Sequence, residues 1–547
     1  MLESSRRVAT ILTMTALTAG LGMACAADQG PPELTVESCG LLEGLTIPAS
    51  AIGLPTGGGV VQTAVAVAAT DADNPNGDVC KVTGIVRPQN AGSPDLEFEV
   101  NLPIGRWNSR ALQMGGGGYN GTLVTGLGAF TLQPAGVENP LAQGYVTLGT
   151  DGGHKSSAGF DGSFAMDDEA LRNFGQESIK KGHDAAMAVV EAAYGRRPER
   201  TYFIGGSQGG HEALDAAARY PDDYDGVVAH YPAYNVTLLH LGSLNVGKAL
   251  YADGGAGWMN PAEVAALTGA VYAACDDLDG AADGIVSDVA GCNGTFAVAS
   301  LRCAGGSNRG DACLSDAQLA AVARITSDYE PGFPVAGMDS FPRWPLLEGA
   351  RFAGGSTLGT APQPSNPLAG GEPLLYRAGD QTAKFIITRD PSLDAMAFDP
   401  AEWQERIETV AAIMDVSDVS LEPFRAKGGK IILTHGTVDD FITPHNSVRY
   451  YERQVAQLGQ DAVDGLIRFY VIPGLGHGFG PFNAKFDSLA ALRAWVEEGR
   501  APQGLTAIDG NQDADRSRPL CEWPAWPRFT GAPGTEDQAS SFTCVDS

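Results

Sequence analysis

The sequence predicts an α/β fold, a mostly parallel sheet covered by helices, with a large second segment inserted into it. Short apolar runs alternate with helical segments from about residue 140 to residue 230, and strand patterns return after residue 430. Between residues 235 and 425 the alternation stops, and glycine, proline, cysteine and scattered aromatic residues dominate. A chain of 547 residues is also too long for one ordinary core.

The predicted elements follow from hydrophobic periodicity. The first clear strand is 96–102, in which apolar and polar residues alternate. A further helix is expected directly after the strand at 202–206, because the residues there are strong helix formers. The other predicted strands are 110–114, 145–149, 226–229, 430–434 and 466–471, and the other predicted helices are 176–193 and 487–498.

The chain is predicted to begin with a secretory signal. Residues 1–27 combine Arg6 and Arg7 with an apolar run and a small-residue cleavage site around Cys25. A lipid anchor on Cys25 is the alternative, although Gly22 stands where such signals usually carry a larger aliphatic residue. The expected location is therefore secreted or periplasmic. The remaining predicted parts are a first core part at 28–235, an inserted domain at 236–425, and a second core part with a tail at 426–547.

The charge balance argues against some classes of partner. The chain has 36 lysine and arginine residues against 65 aspartate and glutamate residues, a formal net charge of -29. Such an acidic protein is unlike those that bind nucleic acids or anionic membranes. After the signal no apolar run is long enough for a transmembrane segment.

The cysteines predict disulfide bonds. Without Cys25, the 9 cysteines leave an even set, which in an exported protein favours four bridges. Pairing of nearest neighbours is one arrangement among many, and a zinc site is the alternative, although no C-x-x-C pair is present. The nearest-neighbour pairs are Cys39 with Cys80, Cys275 with Cys292, Cys303 with Cys313, and Cys521 with Cys544.

A G-x-S-x-G motif predicts a nucleophile. Ser207 lies between an apolar strand and a helix, and Gly205 and Gly209 flank it. In a nucleophile elbow the serine sits on a strained strand-to-helix turn where side chains at the flanking positions would strike backbone. A glycine-rich turn that happens to contain serine is the alternative.

Two later loops supply a candidate acid and a candidate base. Asp439 and Asp440 follow the strand at 430–434, and only one of them is expected to point at the histidine. His477 lies in a glycine loop after the last core strand. The order serine, aspartate, histidine is that of α/β-hydrolases, and three independent positions agree with it.

A glycine run at residues 115–118 is a candidate for the oxyanion hole. In α/β-hydrolases one N–H of such a loop and the N–H after the nucleophile stabilise the oxyanion. Gly117 and Gln208 are the predicted donors. A flexible surface loop is the alternative.

An acidic loop at residues 275–288 predicts a metal site. Several carboxylates lie between glycine bends and are enclosed by Cys275 and Cys292. They would repel one another without a cation, and Ca²⁺ is favoured over Mg²⁺ because the ligands would all come from the protein. A solvated acidic loop is the alternative. The spacing is not that of an EF-hand, so this pattern does not identify the ligands.

With these motifs in place, the chain resembles the tannase and feruloyl esterase family of α/β-hydrolases over nearly all of its mature length. The matching segments are the glycine loop, the Ser207 motif, the acidic loop, 390–394, 435–439, 473–478 and the tail at 516–544. The resemblance implies that Ser207, Asp439 and His477 form a catalytic triad and that the insertion is a lid. It also implies a set of calcium ligands: Asp276, Asp279 and Asp283, with the carbonyls of Ala281 and Ile285.

The chain departs from the family at two positions. The family usually carries a cysteine immediately before the serine and another after the histidine, and a disulfide joins them. Gly206 and Gly478 occupy these positions here. Both cysteines are absent together, so no unpaired cysteine remains, which indicates a coherent variant and not a damaged site.

The expected activity is hydrolysis of small carboxylic esters of aromatic-acid type, such as feruloyl, gallate or terephthalate esters, by a serine esterase. An amide or peptide hydrolase with the same triad is one alternative. A catalytically silent, calcium-stabilised secreted binding protein is the other. The sequence leaves open the natural ester, the lid residues that bind it and the oligomeric state.

Overall fold

The computed structural model describes residues 33–156, 159–352, 357–512 and 514–546. The predicted signal at 1–27 and the alternative lipid anchor on Cys25 lie outside the described residues. None of the helices in these ranges combines the length and the hydrophobicity that crossing a membrane requires.

A ten-stranded sheet organises the fold, in the order β1-β2-β3-β4-β6-β5-β7-β8-β9-β10. From β6 to β10 all neighbours are parallel, whereas β1 to β4 pair antiparallel and β4 pairs antiparallel with β6. The parallel strands therefore place their carboxyl ends on one edge of the sheet. The strands are β1 Thr46–Ile47, β2 Gly59–Val67, β3 Val79–Val86, β4 Leu96–Pro103, β5 Arg110–Met114, β6 Val146–Thr150, β7 Arg200–Gly206, β8 Gly226–His230, β9 Lys430–Gly436 and β10 Ile467–Ile472.

Helices cover both faces of the sheet, and two small sheets complete the carboxyl-terminal part. β11 Ala484–Lys485, β12 Thr506–Asp509 and β13 Ser517–Pro519 form one, and β14 Trp526–Phe529 and β15 Phe542–Val545 form the other. The α-helices are α1 Val36–Cys39, α2 Asp168–Arg172, α3 Ser178–Tyr194, α4 Gln208–Arg219, α5 Val236–Gly255, α6 Pro261–Cys275, α7 Val289–Thr295, α8 Asp316–Ile325, α9 Leu374–Gln381, α10 Gln404–Met414, α11 Glu422–Ala426, α12 Pro444–Leu458, α13 Gln460–Asp464 and α14 Ser488–Glu498. A π-helical turn, Thr382–Ile387, continues α9.

The predicted core strands are present, but three earlier strands were missed. β4 to β10 lie within one or two residues of the predicted runs, and α3, α4 and α14 match the predicted helices. β1, β2 and β3 precede the first predicted strand and form the antiparallel end of the sheet. β2 and β3 are rich in valine and threonine, which favour strands, but the glycine and proline residues around them obscured this signal in the sequence.

The insertion lies between β8 and β9 and adds no described strand to the main sheet. Its side chains share one hydrophobic core with the sheet: Leu239 and Trp344 of the insertion belong to the same cluster as Phe203 and Val227. The segment is therefore packed on the sheet and fixed relative to the strand ends.

Four disulfides join nearest neighbours: Cys39–Cys80, Cys275–Cys292, Cys303–Cys313 and Cys521–Cys544. This is the nearest-neighbour arrangement. Each bridge closes a local loop, so the predicted disulfides are confirmed, and these eight cysteines are bonded to one another and are not zinc ligands.

Candidate active site

Ser207 lies on a strained turn between β7 and α4. Its backbone has φ 61° and ψ -121°, which is unfavourable for a residue with a side chain. A Cβ at Gly205 would lie 2.4 Å from the Gly209 carbonyl oxygen, and one at Gly209 would lie 2.8 Å from that of Gly116. Only glycine fits at both flanking positions, which is the physical reason for the G-x-S-x-G pattern.

The structure brings the three predicted triad residues together. His477 Nε2 is 2.9 Å from Ser207 Oγ, and His477 Nδ1 is 2.9 Å from Asp439 Oδ2. The three side chains come from the ends of β7, β9 and β10, at the carboxyl edge of the sheet. A continuous hydrogen-bond chain therefore links the serine hydroxyl to a buried carboxylate.

Asp439, and not its neighbour Asp440, faces the histidine. Asp439 is fully buried, and its Oδ1 accepts hydrogen bonds of 2.9 Å from the N–H groups of Phe441 and Ile442. Asp440 instead accepts a hydrogen bond from the Thr357 hydroxyl. Geometry thus separates two adjacent carboxylates that the sequence left equivalent.

The carboxylate and the imidazole stabilise each other's charge. Burial alone would raise the pKa of Asp439, but His477 and His435 together hold it well below its usual value. Burial alone would lower the pKa of His477, but the Asp439 carboxylate outweighs burial, so this pKa is raised. Burial raises the pKa of Asp440 to about 6. His477 is consequently a stronger base than a free histidine.

The glycine loop lies directly against the elbow. The Gly209 N–H donates to the Gly116 carbonyl at 3.1 Å, and a Cβ at Gly115 would lie 2.5 Å from Gly209 Cα. Among the described residues, the N–H groups of Gly117 and Gln208 donate no hydrogen bond. Gly117 lines a cleft beside the loop, whereas Gly118 and Gln208 line the cavity that contains Ser207. Gly117 and Gln208 remain predicted oxyanion donors.

A buried carboxylate that was not singled out from the sequence holds this loop. Glu212 Oε2 accepts from the Gly116 N–H at 2.9 Å, and Oε1 accepts from Asn120 Nδ2 at 2.6 Å. Glu212 is on the first turns of α4, so one side chain connects the elbow helix to the glycine loop. The residue lies three positions after the Ser207 motif, but its partners are nearly a hundred residues away, so local pattern does not reveal this contact.

The ring of Tyr231 fills the space between the two glycines that replace the family's cysteines. A Cβ at Gly206 would lie 2.9 Å from two carbons of the ring, and a Cβ at Gly478 would lie 3.0 Å from its hydroxyl. Tyr231 follows β8 with φ 34°, and its N–H donates to the Thr434 carbonyl at 2.7 Å. An aromatic ring therefore spans the loops that carry Ser207 and His477.

The acidic loop has the chemistry of a cation site. Asp279 is 1% exposed, and its Oδ2 has no hydrogen-bond partner in the described part of the chain. Burial raises the pKa of Asp279 to about 6 and also raises that of Asp276 and of Asp283. Asp283 is paired with Arg518 of the tail.

The two predicted carbonyl ligands are also available. Within the ranges described, the carbonyl oxygens of Ala281 and Ile285 accept no hydrogen bond. Buried, unpaired oxygen ligands of this kind suit Ca²⁺. The chemistry of these oxygen donors is the kind that Ca²⁺ prefers, and the calcium site stays a prediction.

Comparison with known proteins identifies the family of this chain. The family model described as tannase and feruloyl esterase matches residues 80–545. An uncharacterized esterase of Agrobacterium fabrum is 37% identical over 94% of this chain and 94% of its own length. The mono(2-hydroxyethyl) terephthalate hydrolase of Piscinibacter sakaiensis is 29% identical over 88% of this chain and 86% of its own length.

Solved structures give the same fold. Feruloyl esterase B from Aspergillus oryzae matches with a TM-score of 0.73 and 23% identity, over 91% of this chain and 98% of that one. Tannin acyl hydrolase from Aspergillus niger matches with a TM-score of 0.70 and 19% identity, over 94% of this chain and 95% of that one. With the motifs, the sheet and the family match in agreement, the chain belongs to the tannase and feruloyl esterase family of α/β-hydrolases and is an esterase.

Proposed function

We propose that the protein is an exported serine carboxylesterase that cleaves small esters of aromatic acids through Ser207, His477 and Asp439. The single observation that carries the proposal is the hydrogen-bond chain from Ser207 Oγ through His477 to Asp439, with both links at 2.9 Å. The names of its relatives support an aromatic acyl group, since they include feruloyl esterases and a terephthalate ester hydrolase. Four disulfides support export, because such bonds persist in oxidising compartments.

The mechanism follows from the atoms on this chain. His477 Nε2 takes the Ser207 proton as Oγ attacks the ester carbonyl, and Asp439 stabilises the imidazolium. The tetrahedral oxyanion would accept hydrogen bonds from the backbone N–H groups of Gln208 and Gly117. Collapse breaks the carbonyl–alkoxy bond, and His477 returns the proton to the leaving alcohol. A water molecule, deprotonated by the same nitrogen, then releases the acid from the acyl-enzyme.

Serine substitution tests this proposal. Ser207→Ala should lower kcat on 4-nitrophenyl acetate by about 10³-fold or more, because the variant has no nucleophile. Ser163→Ala, in the short helix Gly162–Met166, is the matched control and should retain activity. Undiminished turnover in Ser207→Ala, with the protein folded, contradicts the assignment.

Two further measurements separate the esterase from the alternative activities. An amide hydrolase would cleave a 4-nitroanilide faster than the matching nitrophenyl ester. A silent binding protein would not react with a fluorophosphonate, whereas the proposed enzyme should be labelled at Ser207. The esterase proposal thus requires labelling together with an ester preference.

We also propose that Asp276, Asp279 and Asp283, with the carbonyls of Ala281 and Ile285, hold a structural Ca²⁺ ion. The support is the unpaired, buried Asp279 Oδ2 and the free carbonyls of the same loop. The ion would neutralise the carboxylates and stabilise the loop. This loop packs against the His477 region, because a Cβ at Gly474 would lie 3.1 Å from the Ile285 side chain.

A further inference from the structure

The cavity beside Ser207 is small and has a mixed apolar and polar wall. Its volume is about 10 Å³, roughly enough for one water molecule. Apart from the serine itself, the polar side chains on its wall belong to Tyr119, Gln208 and His240. The apolar side chains on its wall are Phe160, Ala233, Val236, Leu239, Phe441 and Ile442.

His240 presents an unused nitrogen in this cavity. The residue is 3% exposed, and its Nδ1 lies 2.9 Å from Thr382 Oγ1 and 3.1 Å from Tyr119 Oη. Its Nε2 has no hydrogen-bond partner among the residues that the structure describes. A ring nitrogen on a cavity-lining histidine that has no partner in the described protein is free to bind a polar group of the substrate.

The imidazole ring is held in a fixed orientation. Tyr119 Oη donates to the Ala378 carbonyl at 3.1 Å and lies 2.7 Å from Thr382 Oγ1. Thr382 begins the π-helical turn that follows α9. Because the hydroxyls of Tyr119 and Thr382 both contact Nδ1, rotation of the ring would break their network, so the position of Nε2 is defined.

The cavity lies on the acyl side of the site. The leaving alcohol must lie near His477 Nε2, since that nitrogen protonates it. The wall of the cavity includes Ser207 and Gln208 but not His477. This lining favours entry of the group that is attached to the carbonyl carbon and stays on the enzyme after the alcohol leaves.

The cavity is also electrically neutral. Its described wall contains no lysine or arginine, and burial lowers the pKa of His240 to about 3. A neutral imidazole can hydrogen-bond to a substrate group but cannot neutralise a carboxylate. A charged acyl group would therefore lose its hydration without a compensating cation.

Resting on the proposed esterase function, we propose that His240 is a specificity-determining residue whose Nε2 hydrogen-bonds to a hydroxyl group on a neutral acyl moiety. A hydroxyl both donates and accepts, so it matches either tautomer of the imidazole. Esters of hydroxylated acids are then preferred over their unsubstituted analogues and over acids that carry a second carboxylate.

Two kinds of acyl group could carry such a hydroxyl, and they differ in size. A benzoyl-sized group needs the ring of Phe160 or Phe441, which lie 5.3 Å apart, to move. A small 2-hydroxyacyl group requires less displacement. Matched ester pairs of both sizes therefore belong in the test.

The experiment compares kcat/KM for methyl ester pairs that differ by hydroxyls: 4-hydroxycinnamate with cinnamate, 3,4,5-trihydroxybenzoate with benzoate, and lactate with propionate. His240→Asn retains a polar atom near Nδ1 for Thr382 and removes Nε2, whereas His240→Gln retains one near Nε2. In the preferred pair, His240→Asn should lower the hydroxyl preference about 10-fold. His240→Gln should lower it less.

Specific results of this experiment would overturn the proposed role of His240. An unchanged hydroxyl preference in His240→Asn, or equal loss on both esters of the pair, shows a purely structural role and overturns the proposal. Faster cleavage of monomethyl terephthalate than of every hydroxylated ester by the wild-type protein also overturns it. If His240→Asn does not fold, two measurements still test the proposal. They are the hydroxyl preference of His240→Gln and the wild-type rates on hydroxylated esters and monomethyl terephthalate. Failure of the proposed function looks different, because the wild-type protein would then cleave none of these esters.

Discussion

The ring of Tyr231 lies 4.7 Å, centroid to centroid, from the imidazole of His477. The same ring occupies the space between Gly206 and Gly478, so it contacts the loops on both sides of the proposed nucleophile and base. Tyr231 is 7% exposed, so the ring is itself held in the packed interior. In this chain, aromatic packing occupies the position of the disulfide that the family resemblance implies.

Removal of the Tyr231 ring should impair catalysis more than substrate binding. Tyr231→Ala leaves a cavity beside His477, and we expect kcat to fall about 10-fold or more with a smaller change in KM, together with a lower Tm. Tyr231→Phe keeps the ring and is the matched control, which should retain most of the activity. Equal kcat in Tyr231→Ala and the wild-type protein would show that the ring does not position His477.

A methyl group at residue 206 should displace that ring. In Gly206→Ala the new Cβ would lie 2.9 Å from the Tyr231 ring carbons and from Thr131 Cγ2, so at least one of them has to move. We expect lower kcat and lower Tm, by roughly 1–3 kcal/mol of unfolding free energy for an overpacked site. Gly128→Ala is the control, because a Cβ there meets nothing within 4 Å. Similar Tm and kcat in the two variants would contradict the tight packing.

The pH dependence of kcat/KM should report His477. The Asp439 carboxylate outweighs burial and raises the pKa of His477 above 6.5, and the base must be neutral to act. Activity should therefore fall as pH decreases through a pKa above 6.5. Asp439→Asn should lower kcat by about 10³- to 10⁴-fold, whereas Asp440→Asn should retain most activity. The assignment of the acid is wrong if Asp440→Asn is the more damaging of the two.

Removal of calcium should destabilise the protein in a pH-dependent manner. Without a cation, burial raises the pKa of Asp279 from 3.8 to about 6, so the chelated protein loses stability as pH rises through this interval. A bound cation favours the ionised carboxylate, so the difference in Tm between calcium-loaded and EGTA-treated protein should grow from pH 4 to pH 6.

Substitutions in the acidic loop test the same site. Asp279→Asn should reduce the effect of calcium on Tm, whereas Asp277→Asn, at an exposed neighbour, should reduce it less. Metal analysis of the purified protein supplies the second readout. Absence of both bound metal and any Tm shift would exclude the proposed site.

Glu212 should contribute to catalysis through the glycine loop. Glu212→Gln offers one acceptor oxygen to two donors, Gly116 N–H and Asn120 Nδ2, so one of them loses its partner. We expect kcat to fall about 10-fold, with little change in KM, as the proposed oxyanion loop loses its fixed position. Glu191→Gln, on the exposed face of α3, is the control and should leave kcat unchanged. Parallel changes in both variants would argue against a role of Glu212 in positioning the loop.

Local sequence signals predicted the features whose causes are local. The Ser207 turn requires glycine at 205 and 209 because of contacts within a few residues of chain, together with the close approach of one loop. Apolar runs in the sequence predict the buried strands from β4 onward. The order of Ser207, Asp439 and His477 in the chain follows the order of the strands that carry them. Nearest-neighbour disulfides are equally local.

The sequence by itself therefore determined the fold class, the family and the three residues of the proposed triad. Tertiary structure alone decided that Tyr231 fills the space between Gly206 and Gly478 and that His240 lines the cavity that contains Ser207, and it gave the contact by which Asp439 meets His477. The physical reason is that each of these facts depends on side-chain direction and on packing between segments distant in the chain. Periodicity and motif spacing report the faces of single elements, and they carry no information about which distant side chain occupies a shared space.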